Sequence, residues 1–455
     1  MIRLIIAIIS TVCITYAHDH SNHDHQNILM IIVDDLRPQL GCYGASETHS
    51  PNMDRIANEG TLFETAYVQV PVCGASRASM MTGLYPTSKR FVTYYSSADK
   101  DAPDVPDLPS YLLSAGYSTI SNGKIYHNAD DSTNSWSEIY RPADFRVYLL
   151  PENQNLGGHG KDAAYEAADV EDNAYPSGVM AEKIINDLRK AKASGEPFFI
   201  TAGFTKPHLP FNAPKKYWDL YDRDELALAE NHFAPKGAPS SSLHQWNELR
   251  SGYGGMPEKG NVSDELARTL IHGYYASVSY TDKLIGDLLD ELVKLDIDKN
   301  TIVILAGDHG WQLGEHALWC KHALFETSLH TPLIIKAPGY KAGQRSSALV
   351  EFVDIYPTIC ELAGVKKPAH LQGKSLVKLM KKPSAKFKDA IFARYHGGET
   401  IRTAQYQYSE WKNGSNMFYD HSIDPNENVN RVADPKYSAI VKKMKQQLQE
   451  HRERL

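Results

Sequence analysis

The sequence of 455 residues predicts an α/β protein. We expect a sandwich of helices around a large, mostly parallel central sheet, followed by a smaller C-terminal α+β subdomain with an antiparallel sheet. Three observations predict this class. Continuous apolar runs rich in Ile and Val recur along the chain, amphipathic stretches separate them, and the pattern changes near residue 384.

The apolar runs are short and lack polar alternation, which is typical of strands covered on both faces. The first run meets Asp34-Asp35, and the third meets Asp308-His309. The predicted strands are 27–33, 197–204, 301–306 and 332–337.

Helical periodicity separates these strands, and Pro51 suits the first turn of the earliest helix. The Gly- and Pro-rich segment 234–260 predicts a long loop or insertion. Short β-prone pieces follow the change of pattern, and a charged helix closes the chain. The predicted helices are 50–60, 175–193, 263–295 and 438–454, and the β-prone pieces are 390–395, 400–403 and 406–408.

The N-terminus predicts export. Arg3 precedes a short apolar run at 4–14 and small residues that end at Ala17, which is typical of a signal peptide at 1–17 and too short for a membrane span of ~20 residues. The His-rich residues 18–26 predict a disordered tail, although such a tract could also chelate a transition metal. No other apolar stretch is long enough to span a membrane.

The charge and cysteine content argue against a nucleic-acid-binding protein and against a protein stabilised mainly by disulfides. A net charge of -7 without a clustered basic excess argues against a nucleic-acid partner. After removal of the leader, the cysteines permit one disulfide at most if one of them has a chemical role, so the fold should depend on its core. These cysteines are Cys42, Cys73, Cys320 and Cys360.

Acidic residues follow two of the predicted strands. Because the carboxyl ends of parallel strands meet at one edge of a sheet, Asp34, Asp35, Asp308 and His309 should converge. Three carboxylates and an imidazole form a site for a hard cation, and Ca²⁺ or Mg²⁺ fits the oxygen-rich ligand set. The alternative is structural, because Asp after a strand often caps the next helix.

The segment 72–79 places Cys73 before a stretch of small residues that resembles a helix start. By itself, this pattern is typical of a small buried cysteine. A helix N-terminus also stabilises a thiolate or another anion, so the position suits chemistry as well.

The motif Cys73-x-Ala75-Ser76-Arg77, followed by Gly83-Leu84-Tyr85-Pro86, resembles the signature of the type I, formylglycine-dependent sulfatases. The resemblance runs from Asn27 to about Asp434, and within the family it is strongest to the iduronate-2-sulfatase branch. Ala75 stands where Pro is common, and His309 stands where many sulfatases have Asn. The further matching segments are 122–127, 206–211, 308–316, 319–321 and 418–427.

The resemblance implies an alkaline-phosphatase-like sandwich, with a catalytic domain at 27–383 and a C-terminal subdomain at 384–455. It also implies that a formylglycine-generating or anaerobic sulfatase-maturating enzyme oxidises Cys73 to formylglycine. One hydroxyl of the hydrated aldehyde would attack sulfur and displace a sugar alcohol, and the second would then expel sulfate.

The same resemblance implies a role for each remaining motif residue. The cation would be held by Asp34, Asp35, Asp308, His309 and the modified Cys73. Lys124 and Lys321 would bind sulfate, Arg77 would fix the nucleophile, His127 would act as base, and His208 would protonate the leaving oxygen. His316 is a candidate substrate contact. Taken singly, each lysine could be an ordinary surface residue, and His208 could merely stiffen its proline-flanked loop.

The predicted substrate is a sulfated polysaccharide or its oligosaccharides, with a 2-O-sulfated sugar as one candidate. Two alternatives stay open at this stage. One is a formylglycine-dependent phosphonate or phosphodiester hydrolase with the same architecture, and the other is a non-catalytic sugar-binding protein on the same scaffold. A signal peptide without organelle signals favours a bacterial periplasmic or extracellular location over a lysosomal one.

Overall fold

The computed structural model describes residues 25–156 and 160–455. The predicted signal peptide at 1–17 lies outside the described residues, as does most of the predicted tail at 18–26. The last two residues of that tail contact the fold. The ring of His25 packs edge-on against Tyr117, and the Tyr117 hydroxyl donates to the Gln26 carbonyl at 3.1 Å.

Eighteen strands occur in the described residues, most of them short. Their bounds are β1 (Asn27–Val33), β2 (Thr61–Phe63), β3 (Ala66–Tyr67), β4 (Ser118–Gly123), β5 (Glu138–Tyr140), β6 (Tyr165–Ala168), β7 (Phe198–Phe204), β8 (Phe211–Pro214), β9 (Thr301–Gly307), β10 (Gln312–Leu313), β11 (Trp319–Cys320), β12 (Leu333–Lys336), β13 (Gln344–Ser346), β14 (Val350–Glu351), β15 (Ala390–Tyr395), β16 (Gly398–Thr403), β17 (Tyr406–Trp411) and β18 (Asn416–Asp420).

Twelve α-helices occur in the same residues. Their bounds are α1 (Pro51–Glu59), α2 (Cys73–Thr82), α3 (Ala98–Asp101), α4 (Leu108–Ser114), α5 (Pro176–Ser194), α6 (Lys215–Trp218), α7 (Asn247–Arg250), α8 (Asp264–Lys294), α9 (Glu326–Leu329), α10 (Ile355–Leu362), α11 (Val377–Lys381) and α12 (Ser438–Glu453).

The central sheet has eight strands in the order β13-β2-β12-β9-β1-β7-β4-β5. Its middle strands β9, β1, β7 and β4 are parallel, and every residue of β7 and β9 is buried. The predicted α/β class with a mostly parallel central sheet is confirmed. Apolar side chains on both faces explain why these strands had no polar alternation.

This sheet differs from the sequence prediction in the direction of one strand and in four strands that were not predicted, which are β2, β4, β5 and β13. The fourth predicted strand, β12, pairs antiparallel with both β9 and β2, because a single run of apolar residues carries no information about direction. Strand β4 was not predicted, because its Ser, Thr and Asn side chains lack an apolar run. Its Thr119 hydroxyl donates to the Ser135 carbonyl, and its Asn122 amide donates to Asp187.

The long helix α8 packs against α1, α5 and strand β8, and most of its residues are buried. Ser263 caps its N-terminus by accepting a hydrogen bond from Leu266 N at 3.2 Å. The predicted loop at 234–260 is irregular except for the single turn of α7 and one short 3₁₀ turn at Ser240–Ser242. Among the described residues, no helix combines the length and the apolar character that crossing a membrane requires.

The C-terminal sheet is an antiparallel meander in the order β15-β16-β17-β18, as the sequence predicted. Helix α12 packs on β16 and β17 and completes a second small apolar cluster. This sheet contacts the larger N-terminal part of the chain through polar groups, for example the Gln407 amide that donates to the Leu324 carbonyl at 2.7 Å. The four cysteines of the described chain are all free.

Candidate active site

The predicted metal ligands lie where two adjacent parallel strands end. β1 pairs in register with β9, so that Val33 lies opposite Gly307, and the residues that follow both strands reach the same edge of the sheet. Asp308 N donates to the Val33 carbonyl at 3.2 Å, which continues this pairing by one residue. The convergence follows directly from the parallel register.

Asp35 has an unusual backbone conformation that turns its carboxylate back toward β9. Its φ is 62°, in the left-handed region that few non-glycine residues adopt. The backbone N–H of Asp35 donates to Asp308 Oδ1 at 2.9 Å, which holds this conformation. Such strain, when it is held by neighbouring groups, is typical of functional sites.

Cys73 is the first residue of α2, and its thiol points into the acidic cluster. Its Sγ lies 3.2 Å from His309 Nε2, and both side chains are buried. One ligand atom each from Asp34, Asp35, Cys73 and His309 can be chosen so that all four lie within 4.8 Å of one another. Two carboxylates, an imidazole and a sulfur position in this arrangement fit a divalent cation.

Asp308 lies in the same cluster but is already engaged. One of its carboxylate oxygens accepts from Asp35 N at 2.9 Å, and the other accepts from Arg77 Nε at 2.8 Å. Arg77 is fully buried, and its guanidinium also contacts Asp34 at 3.1 Å and the carbonyls of Lys124 and Ile125. Arg77 therefore ties the two strand ends to the segment that carries Lys124.

The two predicted sulfate-binding lysines are both buried beside the carboxylates. Lys124 Nζ lies 2.5 Å from Asp34 Oδ2, and Lys321 Nζ lies 3.0 Å from Asp35 Oδ1. Both side chains are at most 3% exposed. An ordinary surface lysine would be solvated, so the surface-residue alternative is wrong for both positions.

Burial and charge shift the acidities of this cluster. Burial alone would raise the pKa of Asp34, but Lys124 and Arg77 hold it well below its usual range. Burial and the neighbouring Asp34 raise the pKa of Asp35 well above its usual range despite Lys321. A buried carboxylate that resists ionisation beside an ionised one is a strong binding position for a cation.

Burial and the nearby Asp34 raise the pKa of the Cys73 thiol to about 12. The unmodified side chain is therefore a neutral thiol at physiological pH and a poor nucleophile.

The two predicted acid–base histidines flank the cluster. Burial and Lys124 lower the pKa of His127 to about 3, and its Nδ1 is buried without a hydrogen bond to the described protein groups. His208 lies 3.9 Å from Asp35 Oδ2, and its Nδ1 lies 2.6 Å from the Leu209 carbonyl. His127 is therefore neutral at physiological pH, with one ring nitrogen unpartnered among the described residues, whereas His208 has one nitrogen committed to the backbone.

Glu248 is a site residue that the sequence analysis missed. Its Oε1 lies 2.7 Å from Lys321 Nζ and 3.0 Å from His208 Nε2. Lys321 and His208 hold the pKa of Glu248 well below its usual range, against the effect of burial. Glu248 lies in α7 within the predicted loop, and a carboxylate in a loop carries no sequence signal that separates it from a solvated one.

His316 is buried and lies against the C-terminal part of the chain. Its Nε2 lies 2.8 Å from the Asn426 carbonyl, and its ring packs against Phe325 at 4.2 Å between centroids. Its assignment as a substrate contact stays a prediction. The roles of the other site residues also stay predictions, although the structure brings their side chains together.

Comparison with known families and proteins gives an independent line of evidence. The family model described as sulfatase matches residues 26–365, and the one described as N-sulphoglucosamine sulphohydrolase, C-terminal, matches residues 314–454. Iduronate 2-sulfatase of Homo sapiens is 34% identical over 408 residues, which cover 79% of this chain and 74% of that protein. A sulfatase of Formosa agariphila is 29% identical, over 93% of this chain and 86% of that protein.

Solved structures share the fold over nearly the whole described chain. A phosphonate monoester hydrolase from Silicibacter pomeroyi has a TM-score of 0.80 at 22% identity and covers 94% of this chain and 95% of that one. A protein described as a 2-O GAG sulfatase has a TM-score of 0.75 at 22% identity and covers 94% of this chain and 92% of that one. These likenesses show a common architecture.

Proposed function

The chain belongs to the sulfatase family, a family of sulfuric ester hydrolases, and from this premise we propose that it removes sulfate from a carbohydrate by way of a formylglycine at position 73. The observation that carries the proposal is the position of Cys73. Its sulfur lies 3.2 Å from His309, within a cluster of buried carboxylates and between two buried lysines.

The acidity of the cysteine supports its modification. Because its pKa is raised to about 12, the thiol itself is not the nucleophile that the site needs. We propose that a maturation enzyme, either formylglycine-generating or anaerobic sulfatase-maturating, oxidises it to the aldehyde. The hydrate of that aldehyde would supply a hydroxyl in place of the thiol, aimed at the same cluster.

A divalent cation, Ca²⁺ or Mg²⁺, would be held by Asp34, Asp35, Asp308, His309 and residue 73. When it is bound, such a cation lowers the pKa of an adjacent hydroxyl and offsets charge on a transferring group. Arg77 keeps the carboxylates of Asp34 and Asp308 in place from the opposite side, so the ligands are organised before any cation binds.

The charges of the site suit a singly charged substrate. With Asp35 ionised, as a bound cation would favour, and with the histidines neutral, four buried or partly buried carboxylates face three buried cations, which leaves one negative charge in excess. A divalent cation would change this excess to one positive charge, which matches a sulfate monoester. The carboxylates are Asp34, Asp35, Asp308 and Glu248, and the cations are Arg77, Lys124 and Lys321.

The histidines supply the two proton transfers in this proposal. His127 accepts a proton from the nucleophilic group. Its pKa of about 3 would make it a weak base without substrate, and a sulfate bound at Lys124 would offset the charge that, together with burial, lowers this pKa. His208 donates a proton to the departing sugar oxygen. A bound sulfate offsets the charge of Lys321, which together with burial lowers the pKa of His208, and Glu248 favours the protonated ring.

The substrate class is supported by the relatives. One is named iduronate 2-sulfatase, one is named ulvan-active sulfatase and one is named N-acetylglucosamine-6-O-sulfatase. We propose a sulfated polysaccharide or its oligosaccharides, with 2-O-sulfated sugars tested first. Export to the periplasm or beyond, on the strength of the signal-like N-terminus, would bring the enzyme to such polymers.

A formylglycine-dependent phosphonate or phosphodiester hydrolase is the second candidate. The shared architecture favours it, with a TM-score of 0.80 to a phosphonate monoester hydrolase. A phosphonate monoester also carries one negative charge, so the charge of the site does not separate the two.

The test is a desulfation screen with the purified full-length enzyme, coexpressed with a maturation enzyme. Defined 2-O-, 6-O- and N-sulfated oligosaccharides are compared with a phosphonate monoester and a phosphodiester, and released sulfate or alcohol is measured. We expect sulfate release to exceed the other hydrolyses, to stop in a chelator and to return with Ca²⁺ or Mg²⁺. Faster hydrolysis of the phosphonate ester would favour the second candidate.

Two cysteine variants make this test specific. Cys73→Ala, which leaves no group that can be oxidised to the aldehyde, should abolish activity and should remove the formylglycine mass from the peptide that contains position 73. Cys42→Ala is the matched control, at a half-buried cysteine outside the site whose backbone N–H donates to Asp54 at 2.7 Å, and it should keep both the activity and the formylglycine mass. An active enzyme whose Cys73 remains a thiol would contradict the proposed nucleophile, and an inactive enzyme with formylglycine would favour a sugar-binding role.

A further inference from the structure

Two exposed tyrosines lie next to the candidate active site and have no role in the chemistry proposed for it. Tyr94 is 44% exposed and Tyr95 is 71% exposed, and Tyr95 is the most exposed large apolar or aromatic side chain of the described residues. Their rings contact each other, with centroids 3.9 Å apart. Tyrosines are enriched at binding surfaces because they combine an apolar ring with a polar hydroxyl, so an exposed pair beside the candidate active site is a candidate ligand contact.

The pair is attached to the catalytic residues on two sides. The ring of Tyr94 packs edge-on against the ring of His127, with centroids 5.8 Å apart. The backbone of Tyr94 lies directly on Gly74, the residue after Cys73, so closely that a Cβ at position 74 would overlap the Tyr94 carbonyl. The aromatic surface therefore has a fixed position relative to both the nucleophile and the proposed base.

The segment that carries the tyrosines is ordered by its own hydrogen bonds. The Ser96 hydroxyl accepts from Val92 N at 2.8 Å, and the Thr93 hydroxyl accepts from Tyr95 N at 3.2 Å. The Asn128 amide donates to the Tyr95 carbonyl at 3.2 Å. Because the backbone is held in place, a ligand would meet two preorganised rings at a low entropic cost.

We propose that Tyr94 and Tyr95 form a sugar-stacking subsite, which binds the pyranose ring next to the sugar that carries the reacting sulfate. The inference rests on the proposed function and assigns one more element of its substrate, a neighbouring sugar. A pyranose has one face of C–H groups that suits an aromatic ring, and the hydroxyls at its edge stay in water. A sugar of this kind, stacked on one face and hydrated at its edge, fits an exposed pair of rings better than a pair enclosed in the protein.

The test compares chain lengths. Wild type, Tyr95→Ala, Tyr95→Leu and Tyr95→Phe are assayed on the best sulfated tetrasaccharide of the screen and on the matching sulfated monosaccharide. We expect Tyr95→Ala to raise KM for the tetrasaccharide about tenfold, equivalent to about 1.4 kcal/mol, with kcat within about twofold. Tyr95→Phe should stay near wild type, and Tyr95→Leu, which keeps apolar area without a ring face, should resemble Tyr95→Ala.

The monosaccharide is the internal control, because it does not reach the subsite, and its KM should be unchanged in all three variants. Equal kinetics of wild type and Tyr95→Ala on the tetrasaccharide would overturn the inference, as would equal losses on both substrates. Either result leaves the proposed function standing. If the wild type cleaves no sulfated carbohydrate, the proposed function itself fails.

Discussion

Glu248 joins two of the proposed catalytic side chains through one carboxylate oxygen, 2.7 Å from Lys321 Nζ and 3.0 Å from His208 Nε2. The other ring nitrogen of His208 lies 2.6 Å from the Leu209 carbonyl. Both nitrogens thus face acceptors, and only the protonated ring can donate to both. Glu248 therefore favours the form of His208 that can give a proton to a leaving group.

Changing Glu248→Gln keeps the size of the side chain and removes its charge. We expect kcat on the best sulfated substrate to fall about 10- to 100-fold, with a much smaller change in KM. This loss is smaller than the ~100- to 10,000-fold that a proton-transfer group itself contributes, because Glu248 acts through His208. The measurement is a full kcat and KM determination beside a thermal unfolding curve. Glu258→Gln, at an exposed position of the same loop, is the matched control. A kcat within twofold of wild type would refute this role.

Whether a single site residue can be predicted from the sequence depends on the secondary-structure element in which it lies. Asp34 and Asp308 could be predicted to meet because they follow buried strands, and parallel strands end at one edge of the sheet. Lys124 and Lys321 were assigned only through the family resemblance, because a lysine pattern does not reveal burial. Glu248 reaches the site by the path of a loop, which propensity and periodicity do not describe.

At the scale of elements, the predicted strands and helices agree closely with the structure where an apolar pattern defines them. Helix α8 was predicted at 263–295 and spans Asp264–Lys294. Strand β4 was missed because it is polar and is stabilised by side-chain hydrogen bonds and by pairing with β7. Strand direction is a tertiary property, so β12 could be located but not oriented.

Asp282 of α8 links that helix to α1 and should make stability depend on pH. It accepts from Met53 N at 2.7 Å and Asn52 N at 3.0 Å, and burial raises its pKa from 3.8 to about 6. Because the folded state holds the proton more tightly than the unfolded state, the contribution of this group to stability is full below about pH 4. That contribution is lost as the pH rises through about 6.

The measurement is urea unfolding of wild type and Asp282→Asn from pH 4 to 7. The free energy of unfolding of wild type minus that of the variant should fall with rising pH, by as much as about 3 kcal/mol. Asp290→Asn, at an exposed position of the same helix, controls for the general effect of charge removal. If this difference in the free energy of unfolding is constant or rises with pH, the Asp282 carboxyl is not harder to ionise in the folded state than in the unfolded state.

At the scale of the whole molecule, the C-terminal sheet is joined to the part of the chain that holds the candidate active site by a buried ion network. Lys388 Nζ lies 2.6 Å from Glu351 Oε2 and 2.7 Å from Asp354 Oδ1, and all three side chains are at most 8% exposed. Glu351 also accepts from the Tyr85 hydroxyl at 2.5 Å, and Tyr85 follows the helix that begins with Cys73. The network therefore connects the C-terminal sheet to the segment that carries Cys73, the proposed nucleophile precursor.

Changing Lys388→Met should lower the free energy of unfolding by about 3–5 kcal/mol, because two buried carboxylates lose the lysine that pairs with both of them. Urea unfolding at pH 7, followed by both fluorescence and circular dichroism, measures the loss. Lys386→Met, at a position that is 80% exposed, should change it by less than about 0.5 kcal/mol. If the unfolding curves of Lys388→Met by fluorescence and by circular dichroism no longer coincide, the ion network couples the unfolding of the C-terminal sheet to that of the central sheet. A loss below about 1 kcal/mol would mean that apolar contacts alone hold the C-terminal sheet in place.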